Sequence, residues 1–118
     1  MNQQQRKHLA DAISALSNFT DPEHCLEQGH VAVLNAVDEA KTVFEQIAEE
    51  EREKFDNMPE GLQQGDRAQA MEEAADALES AASDLDNVDL SEHIKPEEGW
   101  HEDVAGFIEE AIDNAESF

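Results

Sequence analysis

The sequence predicts an all-α protein: a small helical bundle built on a long antiparallel helical hairpin, with flanking N- and C-terminal helices. Two long segments place apolar residues at alternating steps of four and three, which is the spacing of one helix face. The chain also contains 17 alanines, the residue of highest helix propensity, but only three prolines and five glycines. Its 118 residues fit a single domain covering 1–118.

The first predicted helix covers about residues 2–18. Its apolar residues recur at helical spacing: Leu9, Ala12, Ile13 and Leu16. The following Asp21-Pro22-Glu23 combines a capping carboxylate, a proline at the first helical position and an acid in the first turn. This pattern predicts a short helical piece that Gly29 ends or bends.

The hairpin is predicted from two helices, at about 30–56 and 65–87, joined by a loop of about eight residues. The apolar seam of the first contains Val33, Val37, Ala40, Phe44 and Ile47, and it fades at Glu51. The seam of the second contains Met71, Ala75, Leu78, Ala82 and Leu85. Between them, residues 57–61 (NMPEG) form a stop signal, because Pro59 disfavours helical geometry at the residue before it.

The last predicted helix covers about 97–116, after a connector that ends near Lys95. It presents one apolar face: Trp100, Val104, Phe107, Ile108, Ala111 and Ala115. Because the second hairpin helix has alanine and methionine where leucine would be expected, the flanking helices must supply large apolar groups. The candidates are Leu9, Ile13, Trp100 and Phe107. A homodimer that pairs leftover apolar faces would supplement this core.

The charge balance is strongly acidic. The chain has 30 Asp and Glu against 7 Lys and Arg, a formal net charge of −23. Without a basic stripe, direct binding to nucleic acid is excluded, and the charge argues against docking on an anionic membrane surface. The N-terminus lacks the apolar segment of a secretory signal and no apolar run could span a bilayer, so a cytoplasmic protein is expected.

The acids concentrate in residues 65–118, which carry 17 acids and two bases. Like charges at helical neighbour spacing destabilise a helix by a few tenths of a kcal/mol per pair, so selection for folding alone would not accumulate them. We therefore expect a partner-binding acidic surface. Its candidate residues are Glu72, Glu73, Asp76, Glu79, Asp84, Asp86, Asp89, Glu102, Asp103, Glu109, Glu110 and Asp113.

This charge is comparable with that of a short DNA segment. Duplex DNA carries one charge per roughly 1.7 Å of its axis, so 23 charges correspond to about 13 base pairs. Rigid helices that carry carboxylates a few ångström apart could occupy the basic cleft of a DNA-binding protein. General solubility and adaptation to high salt are simpler explanations of an acidic surface, but the excess of Glu over Asp argues against the second.

Residues 50–63 (EEREKFDNMPEGLQ) and 67–74 (RAQAMEEA) carry a resemblance. The segment Glu50–Leu78 resembles a segment of small, largely uncharacterised acidic helical proteins of tailed bacteriophages. It implies a helix, a proline-glycine elbow and a returning helix. Phe55, Met58 and Leu62 would pack under the elbow, and Gly61 would supply a left-handed turn. In size, charge and helical content the chain is also similar to phage anti-restriction and anti-CRISPR DNA mimics, without a shared motif.

The resulting functional hypothesis is a phage-encoded inhibitor of a host restriction or CRISPR system, acting in the host cytoplasm. It would occupy the basic nucleic-acid cleft of a host protein or complex as an acidic DNA mimic. The alternative is a non-enzymatic phage accessory or adaptor protein. Such a protein would bind its partner through the apolar or mixed face of the helical hairpin.

Catalytic and metal motifs are weak, so we expect no enzyme activity, no cofactor and no specific metal site. Two Glu-x-x-His matches, ending at His30 and His101, have the spacing of di-iron ligands but contain glycines and fall at predicted helix starts. Residues 84–95 depart from a calcium loop at several ligand positions. Cys25 is expected to be a buried structural cysteine.

Overall fold

The computed structural model describes residues 3–88 and 98–116, and every regular element in these ranges is an α-helix. The helices are α1 (Gln3–Ser17), α2 (Pro22–Gln28), α3 (His30–Asp56), α4 (Asp66–Asp86) and α5 (Trp100–Ala115). The predicted all-α class is confirmed. The molecule is elongated, with principal extents of 54 × 21 × 18 Å. Among these described helices, none combines the length and the apolar character needed to cross a membrane.

The two predicted apolar seams are buried, and α3 and α4 pack closely as a hairpin. The α3 seam residues are each at most 2 % exposed: Val33, Val37, Ala40, Phe44 and Ile47. The α4 seam is also buried: Met71, Ala75, Leu78, Ala82 and Leu85. Lys41 pairs with Asp86 and Arg52 pairs with Asp76, so the two helices run antiparallel.

α1 and α5 complete the core, as the alanine-rich α4 requires. Leu9 and Leu16 of α1 and Val104 and Ile108 of α5 are buried. Fully burying such a side chain contributes roughly 1.5–3 kcal/mol, well above what an alanine methyl supplies. The other predicted contributors are partly buried and pack against this core: Ile13, Trp100 and Phe107.

The contacts also fix the direction of the flanking helices. α1 is antiparallel to α3, because Gln5 contacts Lys54 while Ala15 lies across a groove from Ala36. α5 runs in the same direction as α3. It begins beside His30, the first residue of α3, and its Asn114, one residue before its end, contacts the C-terminal end of α4, which packs further along α3. In the described ranges α1 contacts α3 and α5 but not α4. α1 and α4 therefore flank different sides of α3.

The short helix α2 begins and ends where the sequence predicts. The Asp21 side chain accepts a hydrogen bond from the Glu23 backbone N–H at 3.1 Å, and Pro22 occupies the first helical position. Gly29 separates α2 from α3 with φ of 88° and ψ of 159°. This backbone region is essentially restricted to glycine, which explains why the chain can bend there.

The elbow between α3 and α4 differs from the prediction in two respects. Leu62 is 58 % exposed, so only Phe55 and Met58 are partly buried there. Gly61 is not left-handed, because Gly29 and Gly99 are the glycines with positive φ in the described ranges. Right-handed turns fill the loop instead, and the Gln63 amide donates to the carbonyls of Phe55 and Met58, each at 3.1 Å. This side chain closes the end of α3, the role that the sequence suggested for glycine.

The predicted boundaries agree within a few residues. α3 coincides with the predicted 30–56, and α4 begins and ends one residue inside the predicted 65–87. α5 begins at Trp100 after a left-handed Gly99, later than the predicted 97. Residues 1–2, 89–97 and 117–118, which include most of the predicted connector, lie outside the described residues.

Candidate acidic interface

The candidate carboxylates of α4 lie on the side of this helix that faces solvent. Five of them are exposed: Glu72, Glu73, Asp76, Glu79 and Asp86. All of these except Glu73 follow each other at steps of four, three and seven residues. Such steps keep side chains on one helix face, so they form a stripe about 21 Å long.

α5 carries a second exposed acidic face. Its five candidate carboxylates all face solvent: Glu102, Asp103, Glu109, Glu110 and Asp113. Pairs of them recur at steps of seven residues, which again place side chains one above the other. Glu102 and Asp103 lie in the first helical turn, where the positive end of the helix dipole stabilises negative charge.

Cations from α3 neutralise part of the α4 stripe, although residues 65–118 themselves carry only two bases against 17 acids. Arg52 donates to Glu79 at 2.6 and 2.7 Å and to Asp76 at 2.8 Å. Lys41 pairs with Asp86. The Arg52 guanidinium lowers the pKa of Glu79 below its ordinary value, and hydrogen bonding to Asp86 raises the pKa of Lys41. Glu72 lies beyond these ion pairs on the stripe, and Glu73 lies next to it, outside the stripe.

Asp84 has a different environment from the other candidates. It is half-buried and accepts a hydrogen bond from the Asn114 side-chain amide of α5. This contact joins α4 to the end of α5. An open depression of about 590 Å³ lies over it, lined by carboxylates, two serines and Asn114. Asp84 therefore positions α5 as well as contributing charge, whereas Asp89 lies outside the described residues.

The exposed acidic surface also includes α3, which the sequence-based prediction missed. Four exposed carboxylates follow its outer side at steps of four and three residues: Glu45, Glu49, Glu53 and Asp56. The signal was present, since residues 31–64 carry nine acids against three bases.

Glu51 is an unexpected buried carboxylate. Its residue is 0 % exposed, and Lys54 donates to its Oε1 at 3.0 Å. Lys54 also donates to the Gln5 Oε1 atom at 2.7 Å, while the Gln5 amide donates to Glu50 at 2.5 Å. This polar network joins the start of α1 to the end of α3. It explains why the apolar seam of α3 fades at Glu51.

The two histidines of the weak Glu-x-x-His motifs lie beside the same aromatic side chain. Trp100 lies edge-on to His30 at 6.3 Å and to His101 at 6.2 Å between ring centroids. Over residues 3–88 and 98–116, no three His, Cys, Asp or Glu side chains are grouped so that they could hold a metal ion. Asp84 and Asp86 lie on a helix rather than in a loop, and each has a protein partner.

Cys25 is completely buried, as the sequence predicts. Its thiol donates to the Phe19 carbonyl at 3.2 Å. Burial, together with the nearby negative charge of Asp21, raises the pKa of this thiol above its ordinary value. A raised pKa reduces the thiolate fraction, so this cysteine is poorly suited to nucleophilic chemistry.

Comparison of the chain with protein-family models, with curated proteins and with solved structures found no match.

Proposed function

We propose that this protein is a phage-encoded inhibitor of a host DNA-binding defence system of the restriction or CRISPR type. It presents the carboxylates of α4 and α5 to a basic nucleic-acid cleft and thereby takes the place of DNA. The observation that carries the proposal is the exposure of ten candidate carboxylates on these two helices. They are fixed on helices that pack against each other, so their spacing is maintained without a partner.

The density of charge supports this proposal. The described ranges contain 27 of the 30 acids and six of the seven Lys and Arg residues, a net charge of −21. Along the 54 Å axis this is about one negative charge per 2.6 Å. Duplex DNA carries one per roughly 1.7 Å, so the protein has more than half of the axial charge density of its proposed competitor.

The alternative, an adaptor that binds through the apolar face of the hairpin, has less support. The seam residues of α3 and α4 are buried within the molecule and are not available to a partner. On the hairpin loop, Leu62 is a single exposed large apolar side chain. A mixed surface that includes the ion pairs of Arg52 would still be accessible.

The test measures DNA cleavage by purified restriction endonucleases and CRISPR effector complexes at about 150 mM salt, where screening acts beyond about 8 Å. We expect the protein to inhibit at least one of them. Added duplex DNA should relieve the inhibition competitively, because both ligands occupy one cleft. The proposal would be contradicted if the protein inhibited none of these enzymes with a basic cleft, or if added DNA did not relieve the inhibition.

Two variants that remove the same number of charges test which surface of the protein carries the inhibition. The first variant replaces Glu72, Glu73, Glu109 and Glu110 with glutamine. The control makes the same replacement at four exposed glutamates elsewhere: Glu23, Glu27, Glu60 and Glu98. If each contact contributes about 0.2–1 kcal/mol, the first variant should lose about fourfold or more in inhibition. Equal losses in both variants would indicate attraction by net charge alone.

A further inference from the structure

We propose that the groove between α1 and α3 is a docking site for a cationic amphipathic α-helix of a partner protein. This surface is separate from the α4 and α5 carboxylates, because every residue that lines it belongs to α1 or α3, and α1 and α4 flank different sides of α3. The inference therefore goes beyond the inhibitory function proposed above. Either can fail without the other.

The groove is an open cavity of about 200 Å³ between two antiparallel helices. Small side chains line it from both helices: Ala12 and Ala15 from α1, and Ala36 from α3. Ala40 of the α3 seam also borders it but is only 2 % exposed. Val43 closes one part of the floor. A shallower depression beside it, of about 440 Å³, shares His8 and Val43 and extends over Thr42. The result is a trough with an apolar floor that remains open to solvent.

The shape of the trough favours a helical partner. Ala36 to Val43 spans two helical turns, or about 10 Å. Small residues leave a depression into which the side-chain ridge of a third helix can pack. The trough walls are helices whose backbone groups are bonded internally, so an extended strand would find no backbone partners there. A helix placed by its apolar side chains meets no such problem.

The charges beside the trough favour a cationic partner. Asp11 lies on the α1 wall and Glu39 on the α3 wall, and Asp38 borders the shallower depression. All three side chains are exposed. Lys7 lies one turn before Asp11 on α1, which leaves the border net negative. Because the carboxylates occupy both walls, lysine or arginine on both flanks of an apolar helix face would match them.

The test uses a synthetic peptide of about 18 residues, long enough to form a helix, with leucine and alanine on one face and lysine on both flanks. Binding is measured by calorimetry at about 150 mM salt, and its location by backbone amide NMR shifts. We expect the shifts to concentrate on α1 and α3. Two control peptides, one scrambled and one with glutamate in place of lysine, should each bind at least about tenfold more weakly.

Variants of the protein separate the groove from general charge attraction. Ala15→Gln with Ala36→Gln fills the trough with polar side chains and should weaken binding of the lysine peptide by about tenfold. Asp11→Asn with Glu39→Gln should weaken it by about three- to tenfold. The matched control, Glu72→Gln with Glu73→Gln, removes the same charge from α4 and should change binding less than about twofold. Circular dichroism checks that each variant remains helical.

Four results would overturn the inference. They are no binding of the lysine peptide up to about 1 mM, equal binding of the scrambled peptide, unchanged binding to the filled variant, and shifts centred on α4 and α5. The last result would still be compatible with the inhibitory function. If the glutamine variant of α4 and α5 no longer inhibits but still binds the peptide, the two surfaces act separately.

Discussion

Arg52 joins two carboxylates of the acidic surface to the opposite helix of the hairpin. Its guanidinium pairs with Asp76 and with Glu79. The three side chains are between 41 and 65 % exposed, so solvent screens each contact. One planar group that binds two carboxylates is nevertheless more favourable than an isolated surface pair, because it relieves the repulsion between them.

Arg52→Gln should lower the free energy of unfolding by about 0.5–1 kcal/mol at pH 7. Because the folded-state pKa of Glu79 is lowered, its stabilisation is present above the ordinary carboxyl pKa and is lost as pH falls through the lowered value. In urea denaturation, the difference from the unmodified protein should therefore shrink as pH falls below the ordinary carboxyl pKa and vanish once the pH is below the lowered pKa of Glu79. Arg67→Gln, at an exposed position of α4, is the charge-matched control and should have a smaller effect.

Lys54 and Glu51 offer a second test on individual side chains. Lys54→Met removes the cation from a completely buried carboxylate, which should destabilise the protein by about 2–3 kcal/mol. Adding Glu51→Gln removes the charge that was left behind and should restore much of this loss. Urea denaturation of the two single variants and the double variant measures the coupling. Additive effects would show that the two side chains do not act as a pair.

The sequence predicts which of these side chains are exposed but not which of them pair. Exposure follows from helical periodicity, which places Asp76 and Glu79 opposite the α4 seam. Pairing depends on the register between α3 and α4. Arg52 and Glu79 are 27 residues apart, and a shift of one turn would have brought other side chains together. The burial of Glu51 was unpredictable because it depends on how α1 packs against α3. Lys54, which pairs with Glu51, also donates to Gln5 of α1.

Gly29 determines the angle between α2 and α3, and it makes the junction sensitive to substitution. Its φ of 88° and ψ of 159° are strained for any residue with a Cβ, although no atom beyond its two chain neighbours lies within 4 Å of the place where that Cβ would be. The cost of replacement is therefore one of backbone conformation rather than of steric contact. Such strain amounts to about 1–3 kcal/mol.

Gly29→Ala should accordingly destabilise the protein by about 1–3 kcal/mol. Gly106→Ala is the matched control, because Gly106 lies in the middle of α5 with open space around its Cα. There alanine should stabilise the protein by about 0.5–1 kcal/mol through its helix propensity. Thermal denaturation distinguishes the two variants by the sign of the change. A stabilising effect of Gly29→Ala would show that this junction rearranges.

Helices were predictable because their signals are local. Seam periodicity, the Asp21 cap and Gly29 identified four long helices and the short α2 within a few residues. The conformation of the elbow was not predictable, because it depends on which side chain reaches the carbonyls at the end of α3. Gln63 does so, and no local pattern distinguishes this glutamine from its neighbour Gln64.

Repulsion among the negative charges of the whole molecule opposes its folding. A net charge of −21 over the described ranges produces repulsion that salt screens, since the Debye length falls from about 30 Å at 0.01 M to about 3 Å at 1 M. The alanine-rich core leaves little surplus stability to oppose it. Self-repulsion of this kind destabilises the compact state.

Raising sodium chloride from about 0.01 to 0.5 M should raise the Tm by at least about 5 °C. The variant with glutamine at positions 72, 73, 109 and 110 should show a smaller increase, because it has less repulsion to screen. Calorimetry at several salt concentrations measures both. A Tm that is independent of salt would mean that repulsion among the carboxylates does not limit the stability of the folded protein.

Because Cys25 is fully buried, the reaction of its thiol with a labelling reagent reports local opening of the structure around it. Since the chain contains this cysteine alone, an alkylating reagent such as iodoacetamide has one possible thiol target. While α2 stays docked, the sulfur is inaccessible and labelling should be slow. The labelling rate then gives the frequency with which this corner detaches, without any introduced probe. A bound partner that clamps α2 would slow the reaction, and a partner that binds elsewhere would leave it unchanged.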